Sequence, residues 1–453
     1  MRPATTHSLR RILGLGFGLA LVFGTMMGVG ILRLPGTVAA ALGSPALIMS
    51  AWVIGGVFSL MGAVAVAELA AMIPESGGFR VYARRAFGEG IGFAVGWVDW
   101  LAYVATLAYS AVTVVAFLGV LWPPALVYSR AAAISLLAGF TGIHWMGLRV
   151  GSSVTAVVSA AIGALLLVLV AGCFVTAPAA ASTVPPPAAM PFSTLGTGAA
   201  LFALVTALRA ILTAYDGWYA PIYMAEENTN AARTLPRAII GGTLLVVAFY
   251  LVINLAFLRV LPMSVLAGSS LPAADAARLV LPGGGAAFVT VLSLFTVLSL
   301  MNNTMLVGPR ILFAIGRDGF LSDKTALVSA GGTPLVALAA TTAMSLIVIL
   351  TGTFEQIIAL FSVLFLLYYL SAFLAVFVLR RTEPALPRPY KAFGYPFSTA
   401  VVLLGTTALL VAAICEDPRS GAIAAAFLSC CAPAYLWLAR GRQMRALRAS
   451  ANC

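Results

Sequence analysis

Charged residues are scarce in this sequence: they make up 9% of its 453 residues, whereas 62% of the residues are hydrophobic. An ordinary soluble domain carries roughly 25% charged residues, so the composition excludes a soluble globular protein and indicates one embedded in a membrane. The alternating segments of about ten residues that are typical of transmembrane β-barrels are also absent. The sequence therefore predicts an all-α membrane protein.

Groups that carry out catalysis or bind metals are equally sparse. The two histidines are His7, near the N-terminus, and His144, in a predicted loop, and neither has the partners of a catalytic or metal site. The five cysteines lack the spacing of metal ligands or of a disulfide framework. No phosphate-binding GxxxxGK[ST] loop occurs. We therefore expect no enzyme activity, no cofactor, no metal site and no use of ATP.

Apolar runs long enough to cross a bilayer recur along the whole chain. A hydrocarbon core of ~30 Å requires about 20 residues of helix. The runs predict twelve transmembrane helices, at about residues 12–42, 46–71, 90–121, 129–148, 152–176, 197–224, 237–261, 284–315, 333–352, 354–380, 396–415 and 421–440.

The basic residues are distributed unevenly among the predicted loops. If the N-terminus is cytoplasmic, the inside loops hold 20 Lys and Arg residues, and the outside loops hold only Arg130, Arg259, Arg278 and Arg419. Basic residues concentrate on the cytoplasmic side of membrane proteins, so we expect a plasma or inner membrane location with both termini cytoplasmic. This placement accounts for the net charge of +12 without a nucleic-acid partner.

Glycine and proline interrupt two of the predicted spans. The first contains GTMMGVGILRLPG, from Gly24 to Gly36, and the sixth contains LTAYDGWYAPIYMAEEN, with Gly217 and Pro221. The two spans lie five apart and therefore cross the membrane in opposite directions, as two inverted repeats require. Interrupted helices at matching places in two repeats indicate the binding site of a transporter, and ordinary proline kinks are the alternative interpretation.

The backbone groups freed at such interruptions can bind a ligand. The helix that begins near Ile31 would present free N–H groups and a positive dipole end, which suit a carboxylate. Carbonyl groups at the end of the preceding half-helix and between Thr213 and Asp216 would suit an ammonium group. An anion site beside a cation site fits the zwitterionic end of an α-amino acid.

Longer segments carry a family resemblance: GTMMGVGILRLPG, AELAAMIPESGGFRVYARRAFGEGIGFAVGWVDWL, AYDGWYAPIYMAEENTNAARTLPRAI and GPRILFAIGRDGFL. They are similar to segments of the amino acid–polyamine–organocation permease superfamily, most of all to its L-type amino acid transporter-like branch. The resemblance implies alternating access and a five-plus-five inverted repeat of the leucine-transporter type. The implied organisation is a cytoplasmic tail at 1–11, a first repeat at 12–176, an extracellular linker at 177–196, a second repeat at 197–380, two further helices at 381–440 and a cytoplasmic tail at 441–453.

The resemblance also implies substrate-binding positions. They fall on Met27, Gly28, Val29, Gly30 and Ile31 in the first span and on Thr213, Ala214, Tyr215, Asp216 and Gly217 in the sixth, with Trp218 as a further candidate for the pocket wall. The chain departs from the family pattern at three positions. Val29 stands where a small hydroxyl residue is common, Thr213 where an aromatic gate residue is common, and Ile162 where some proton-coupled members have a lysine.

Carboxylates within spans are costly and are therefore candidates for gating or coupling. Asp216 could contact a substrate ammonium group or carry a proton, or it could accept hydrogen bonds from nearby backbone. Asp99 could carry a proton or make a structural hydrogen bond. Glu68 is expected in an ion pair at the cytoplasmic side, where the sequence brings Arg80, Arg84 and Arg85 near it.

Two arginines and one polar patch complete the candidates. Arg33 and Arg209 lie on the outer side of the two breaks and could line a vestibule that attracts anions, although Arg33 could instead extend to the membrane interface. In the eighth span, Ser299, Asn302 and Asn303 could satisfy freed backbone groups or bind a sodium ion.

Together these features predict a secondary active transporter or exchanger of amino acids or related amines. The alternatives are a membrane amino acid sensor that does not transport, and an antiporter of polyamines or other organocations. The sequence leaves open the substrate and whether H⁺ or Na⁺ is the coupling ion. The outer loop WPPALVYSR has no cysteine, so the disulfide-linked partner of some animal relatives is not expected.

Overall fold

The computed structural model describes residues 8–176, 196–352 and 354–451, and of residues 197, 354–362 and 445–451 it describes the backbone alone. The α-helices in these ranges are α1 Leu15–Met26, α2 Gly30–Leu42, α3 Pro45–Met72, α4 Phe79–Phe87, α5 Glu89–Leu121, α6 Pro124–Val127, α7 Ser129–Trp145, α8 Leu148–Val175, α9 Thr197–Ala214, α10 Ala231–Val260, α11 Met263–Gly268, α12 Pro272–Val280, α13 Gly285–Arg317, α14 Leu335–Thr351, α15 Phe354–Thr382, α16 Phe397–Glu416 and α17 Pro418–Ala451.

Short 3₁₀ helices follow α9 and α13, at Ala220–Glu227 and Asp323–Ala326. A single β-bridge joins Leu13 to Asn228, so the chain before α1 lies beside the end of the first 3₁₀ helix. The Leu13 amide donates to the Glu227 carbonyl at 2.9 Å. This contact joins the start of the first predicted broken span to the end of the sixth.

In the part of the chain that the structure describes, eight helices are long and apolar enough to cross a membrane: α3, α5, α8, α10, α13, α15, α16 and α17. The pair α1 and α2 passes the same test together and is bent by 47° at the break between its members. The prediction of an all-α membrane protein is therefore confirmed. Helices α9 and α14 are apolar but shorter, and α7 has 17 residues, so twelve spans and the inverted repeat stay predictions.

The long helices α5 and α13 form the centre of the packing. Helix α13 packs against α5, α8 and α14, and α1 lies against α8, α10 and α13. Close approach depends on small residues, as is usual between membrane helices: a β-carbon at Gly242 of α10 would lie 2.7 Å from Val22 Cβ of α1. Long continuous helices thus support the broken span on several sides.

A tight turn at residues 74–78 places helix α4 beside α5 and α15. Gly77 and Gly78 have φ values of +128° and +69°, a region that side chains other than that of glycine rarely adopt. A β-carbon at Gly78 would also overlap the ring of Tyr223. The turn therefore requires glycine, and it fixes the arginines of α4 against the rest of the molecule.

The ends of the predicted domains are partly outside the described residues. The predicted linker 177–196 is described only at Gly196, and of the predicted tail 1–11 residues 8–11 are described. At the other end, α17 continues without a break from the predicted last span to Ala451. The residues predicted as a C-terminal tail thus extend the last helix.

Candidate functional site

The first span is broken where the sequence predicts it. Helix α1 ends at Met26 and α2 begins at Gly30. In the break the Gly28 amide donates to the Met26 carbonyl at 2.8 Å. Gly28, Val29 and Gly30 are partly accessible, whereas Met27 and Ile31 are buried. The accessible backbone of the break is therefore limited to its three central residues.

The sixth span is broken as well, and the two breaks touch. Helix α9 ends at Ala214, and regular backbone resumes only in the 3₁₀ helix Ala220–Glu227. Gly217 has a φ of +107°, and a β-carbon there would lie 2.8 Å from Thr25 Cγ2 of α1. Glycine is needed at this position both for its conformation and for the contact between the two breaks.

Tyr250 of α10 joins the two half-helices that end at these breaks. Its hydroxyl lies 2.5 Å from the Met26 carbonyl oxygen and 3.1 Å from the Ala214 carbonyl oxygen and donates its hydrogen to the pair. These carbonyls belong to the groups that the sequence analysis assigned to a substrate ammonium. A buried tyrosine thus already donates to Met26 and Ala214, and their contact with a substrate ammonium stays a prediction.

Polar side chains of α8 and α13 also donate to carbonyls of α1. Ser299 donates to the Gly24 carbonyl at 3.0 Å, and Ser159 donates to the Ala20 carbonyl at 2.8 Å. A β-carbon at Gly24 would meet both serine hydroxyls. Of the two roles expected for Ser299, the structure shows the first, namely hydrogen bonding to the backbone of the broken helix.

Asn302 and Asn303 extend this polar contact away from the break. Asn303 donates to the Thr25 hydroxyl at 3.2 Å and accepts from the Thr155 hydroxyl at 2.9 Å. Asn302 donates to Thr155 at 2.8 Å and lies 3.1 Å from His144 Nε2. The expectation of His144 in a loop is wrong, because this side chain is buried in the last turn of α7.

A cavity of about 470 Å³ lies beside the two breaks. Its wall comes from α1, α3, α5, α13, α15 and α16 together with the broken sixth span. The predicted residues that line it are Arg209, Thr213, Asp216, Trp218 and Asn303, and among the residues not predicted are Thr25, Phe58, Tyr103, Tyr219, Phe365, Tyr368, Tyr369 and Phe373.

The other predicted substrate residues do not line this cavity. Ala214 and Tyr215 are buried in packing, and Tyr215 donates to the Trp52 carbonyl at 3.3 Å. Met27 and Ile31 are buried with them. The breaks and the cavity are therefore neighbours: the sixth span contributes Thr213, Asp216 and Trp218 to the wall, whereas residues 27–31 of the first span do not line it.

Asp216 is a carboxylate of the cavity wall held by tyrosines. Tyr369 of α15 donates to its Oδ1 at 2.5 Å, and Tyr219 donates to its Oδ2 at 3.5 Å. Neither tyrosine is among the candidate residues predicted from the sequence. The two adjacent tyrosines in LFLLYYL, a segment of an otherwise apolar span, are the signal that could have found Tyr369.

Aromatic rings surround this carboxylate. Trp218 stacks on Tyr369 with centroids 5.6 Å apart and an angle of 21°, and Tyr369 stacks on Phe373 at 6.0 Å and 6°. Such faces bury apolar groups and attract cations through the ring quadrupole. The cavity therefore combines one negative group with an aromatic wall.

Asp99 is fully buried in α5. Tyr223 of the 3₁₀ helix Ala220–Glu227 donates to its Oδ2 at 2.8 Å. Oδ1 has no hydrogen-bond partner among the described residues. Asp99 thus ties the inner half of the broken sixth span to α5.

The two outer arginines occupy different places. Arg209 lines the cavity and forms an ion pair with Glu416 at the end of α16, and its carbonyl accepts from Thr213 at 2.8 Å. Arg33 is exposed on α2 and does not line the cavity. The exposed position of Arg33 agrees with the expectation that it extends to the membrane interface.

Glu68 forms the expected ion pair, but with other partners. Its carboxylate accepts from Arg380 at 2.9 and 2.5 Å, from the Ala392 amide at 2.6 Å, and lies 3.4 Å from Arg388 Nε. The three arginines of α4 that the sequence placed near it pair elsewhere. Arg80 and Arg84 pair with Asp318 and Arg85 pairs with Glu383, whereas Glu68 lies beside Arg380 and Arg388.

Further ion pairs lie on the same side of the molecule. Arg310 bonds buried Glu227 through two nitrogens at 3.1 and 2.9 Å. The remaining pairs are Arg80 and Arg84 with Asp318, Arg84 with Glu75, Arg317 with Glu226, Arg85 with Glu383, and Arg442 with Glu89. The hydrogen bond from Arg85 holds the pKa of the Glu383 carboxyl below its usual value. These pairs connect α4, α13, α15, α17 and the 3₁₀ helix Ala220–Glu227.

Comparison with known proteins gives a family match over most of the chain. The family model described as amino acid permease matches residues 18–432. The serine/threonine exchanger SteT of Bacillus subtilis (strain 168) is 28% identical over 426 residues, which cover 91% of this chain and 93% of that protein. The b(0,+)-type amino acid transporter 1 of Mus musculus is 28% identical, covering 91% of this chain and 84% of its own. The branched-chain amino acid permease BcaP of Bacillus subtilis (strain 168) is 29% identical, with 88% and 87% covered.

Proposed function

The chain belongs to the amino acid permease family, and from this premise we propose that the protein is a secondary active transporter or exchanger of amino acids or related amines. It works by alternating access, with both termini in the cytoplasm. Twelve spans would consist of the eight long helices, the bent pair α1 and α2, and the shorter helices α7, α9 and α14. The inverted repeats are 12–176 and 197–380, with two more helices at 381–440.

The observation that carries the proposal is the contact between two broken spans beside one cavity. Gly28, Val29 and Gly30 present partly accessible backbone at the start of α2, where N–H groups and the helix dipole favour a carboxylate. Asp216 supplies a negative charge from the other break. These two features suit the carboxylate and the ammonium of one amino acid, and the aromatic wall suits its side chain.

The ion pairs at the cytoplasmic side support the proposed access cycle. Arg310 and Arg317 join the inner half of the broken sixth span to α13, and Arg80 joins α4 to Asp318 at the end of α13. Buried pairs break only when both charges find new partners or water. We propose that substrate enters from the outer side in this conformation, past Arg209 and Glu416, and that release requires the cytoplasmic pairs to separate.

A second candidate function is an antiporter of polyamines or other organocations. The specific observation in its favour is the single carboxylate, Asp216, surrounded by Trp218, Tyr219 and Tyr369. Such surroundings bind a cation whether or not that cation also carries a carboxylate. Substrate competition distinguishes the two: an antiporter of organocations is inhibited by amines that lack a carboxylate, while an amino acid transporter is not.

The test is transport by the purified protein in liposomes loaded with unlabelled amino acids. We expect labelled amino acids to accumulate by exchange. Ligand binding without any movement of label would instead identify a sensor. A thermal-shift screen of amino acids and polyamines selects the substrates to label, because a ligand of the native state raises the unfolding temperature.

Gly28→Leu tests whether the first break binds the substrate. A β-carbon at Gly28 would lie 3.9 Å from the Gly30 amide nitrogen, with no closer contact, so the fold has room for the first atoms of the new side chain. The leucine would fill the space beside the free N–H groups, and we expect exchange to be lost in a folded protein.

Gly139→Leu is the matched control. Gly139 is exposed on α7, and a β-carbon there meets nothing within 4 Å, so exchange should be unaffected. Wild-type exchange by Gly28→Leu would exclude the first break as the substrate site.

A further inference from the structure

A second cavity, called the lateral groove below, lies between α5, α15 and α17 and has a volume of about 510 Å³. Most of its wall is aliphatic, and the exceptions are Tyr368, Ser371, Cys431 and Tyr435. The Ser371 hydroxyl donates to the Tyr368 carbonyl at 2.7 Å and is therefore already bonded within α15. Cavities that hold small ligands have volumes of about 300–1,000 Å³. The lateral groove thus has the size of a ligand site and suits an apolar ligand.

The rim of the lateral groove lies on the outer surface of the helix bundle. Ile91 of α5 and Leu436 of α17 line the groove and are 48% and 53% exposed. Both helices are long and apolar enough to cross a membrane. In a bilayer the exposed surface of such helices contacts lipid tails, which are as apolar as leucine. The groove therefore opens to the hydrocarbon of the bilayer, and its occupant is a lipid chain.

One end of the lateral groove carries charged side chains. Gly90 lines the groove at the start of α5 and follows Glu89, which pairs with Arg442 of α17. Arg440 is exposed and lies four residues after Leu436, so the two share a face of α17. None of the ion pairs found in the described ranges includes Arg440. This end of the groove thus offers a cation to the headgroup of a lipid.

Tyr368 separates the lateral groove from the substrate cavity, because it lines both. Its ring stacks on Phe79 at 4.9 Å and 27° and meets the edge of Phe365 at 5.1 Å. The next residue, Tyr369, donates to Asp216 in the substrate cavity. A lipid chain in the groove would therefore contact a side chain that also forms the wall around the substrate.

We propose that the lateral groove binds one acyl chain of an anionic phospholipid with its phosphate at Arg440, and that this lipid raises the affinity for substrate through Tyr368. The bound chain holds the Tyr368 ring against Phe79 and so supports the wall of the substrate cavity. The link to substrate rests on the proposed transport function, whereas the lipid site itself does not. Because such a link is reciprocal, substrate should also strengthen lipid binding.

The experiment titrates the purified full chain in detergent with phosphatidylglycerol or with phosphatidylcholine of the same acyl chains. A lipid that binds the native state raises the unfolding temperature, so thermal unfolding reports both affinities. One arginine at a membrane surface accounts for about a fivefold preference for an anionic lipid. We expect phosphatidylglycerol to bind about fivefold more tightly than phosphatidylcholine.

Two variants test the chain site and the headgroup site separately. Ala432→Phe fills the groove from an exposed position of its wall, so stabilisation by both lipids should be lost. Ala434→Phe is its matched control, because Ala434 is exposed on α17 outside the groove. Arg440→Gln should make the two lipids bind equally, whereas Arg419→Gln, at the exposed other end of α17, should keep the preference.

The link to the substrate is measured on the same protein. An amino acid found by the thermal-shift screen is titrated with and without saturating phosphatidylglycerol. We expect its affinity to be about fivefold higher with the lipid, which is a coupling of the size common between two sites. In Ala432→Phe the lipid should no longer change this affinity.

The outcomes separate the lipid site from the transport function. Equal binding of the two lipids by the wild type overturns the site at Arg440, and undiminished stabilisation of Ala432→Phe overturns the groove. If Ala432→Phe fails to fold, Ile91→Trp fills the groove from the α5 side with the same expected loss. A substrate affinity that phosphatidylglycerol leaves unchanged overturns the link through Tyr368. Lipid binding with these preferences in a protein that binds no amino acid overturns the transport function and supports the lipid site.

Discussion

Replacing Tyr250 by phenylalanine would remove the hydroxyl that joins the two broken spans while keeping the ring. The ring packs on Trp52 at 5.6 Å and on Tyr215 at 5.0 Å between centroids, and phenylalanine preserves both contacts. What is lost is the hydrogen bond to the Met26 and Ala214 carbonyls. The variant therefore isolates the contribution of one hydroxyl to the geometry of the breaks.

The expected magnitude follows from the burial of the two acceptors. A hydrogen bond between membrane helices contributes about 0.6 kcal/mol on average and up to about 1.7 kcal/mol, and a buried acceptor left without a partner costs about 1–3 kcal/mol. Met26 and Ala214 are 2% and 4% exposed, so water does not replace the hydroxyl. We expect Tyr250→Phe to reduce the free energy of unfolding by about 1–2 kcal/mol.

The same loss should reduce substrate affinity, because the spacing of the two breaks sets the distance between the anion and cation sites. A change of about 1.4 kcal/mol corresponds to a tenfold change in affinity. Thermal unfolding and competition binding of the purified protein measure the two effects, with Tyr82→Phe as the control for loss of a buried hydroxyl. If Tyr250→Phe matched Tyr82→Phe in both assays, the role assigned to this tyrosine would be wrong.

Two further predictions concern charges. Asp216→Asn keeps an acceptor for Tyr369 but removes the negative charge, so the apparent affinity for amino acids should fall at least about tenfold in competition assays; an unchanged affinity would exclude the ammonium contact. Arg310→Leu leaves the carboxylate of Glu227 buried without its partner, at a cost of about 3–5 kcal/mol in thermal unfolding, while Arg85→Leu at the surface should cost less than about 1 kcal/mol. Equal losses for these two arginines would contradict the distinction.

Much of the outline of this protein can be predicted from its sequence. Apolar runs, each about as long as a membrane is thick, predict helices, and glycine with proline predicts the breaks at Gly28 and Gly217. Both signals are local: they depend on neighbouring residues and on the medium, not on distant parts of the chain. The structure confirms the helical class and places both breaks where the local signals predict them.

Contacts between distant segments could not be predicted in the same way. Glu68 has arginines near it in sequence on α4, yet it pairs with Arg380 and Arg388. Tyr250 and Tyr369 look like ordinary aromatic residues of apolar spans, and only packing brings one to the breaks and the other to Asp216. The sequence does not identify these partners. Any buried tyrosine or arginine needs a hydrogen-bond partner, and which residue becomes that partner depends on which helix lies opposite.

The sequence by itself determined that the chain is helical, embedded in a membrane and interrupted in two spans, because hydropathy and backbone conformation are properties of short segments. Tertiary structure decided which side chains face the breaks, that a tyrosine donates to two of their carbonyls, and that Tyr369 bonds Asp216 while Tyr223 bonds Asp99. The physical reason is that hydrogen bonds and ion pairs inside a membrane protein form across helices, and helix neighbours follow from the packing of the whole molecule.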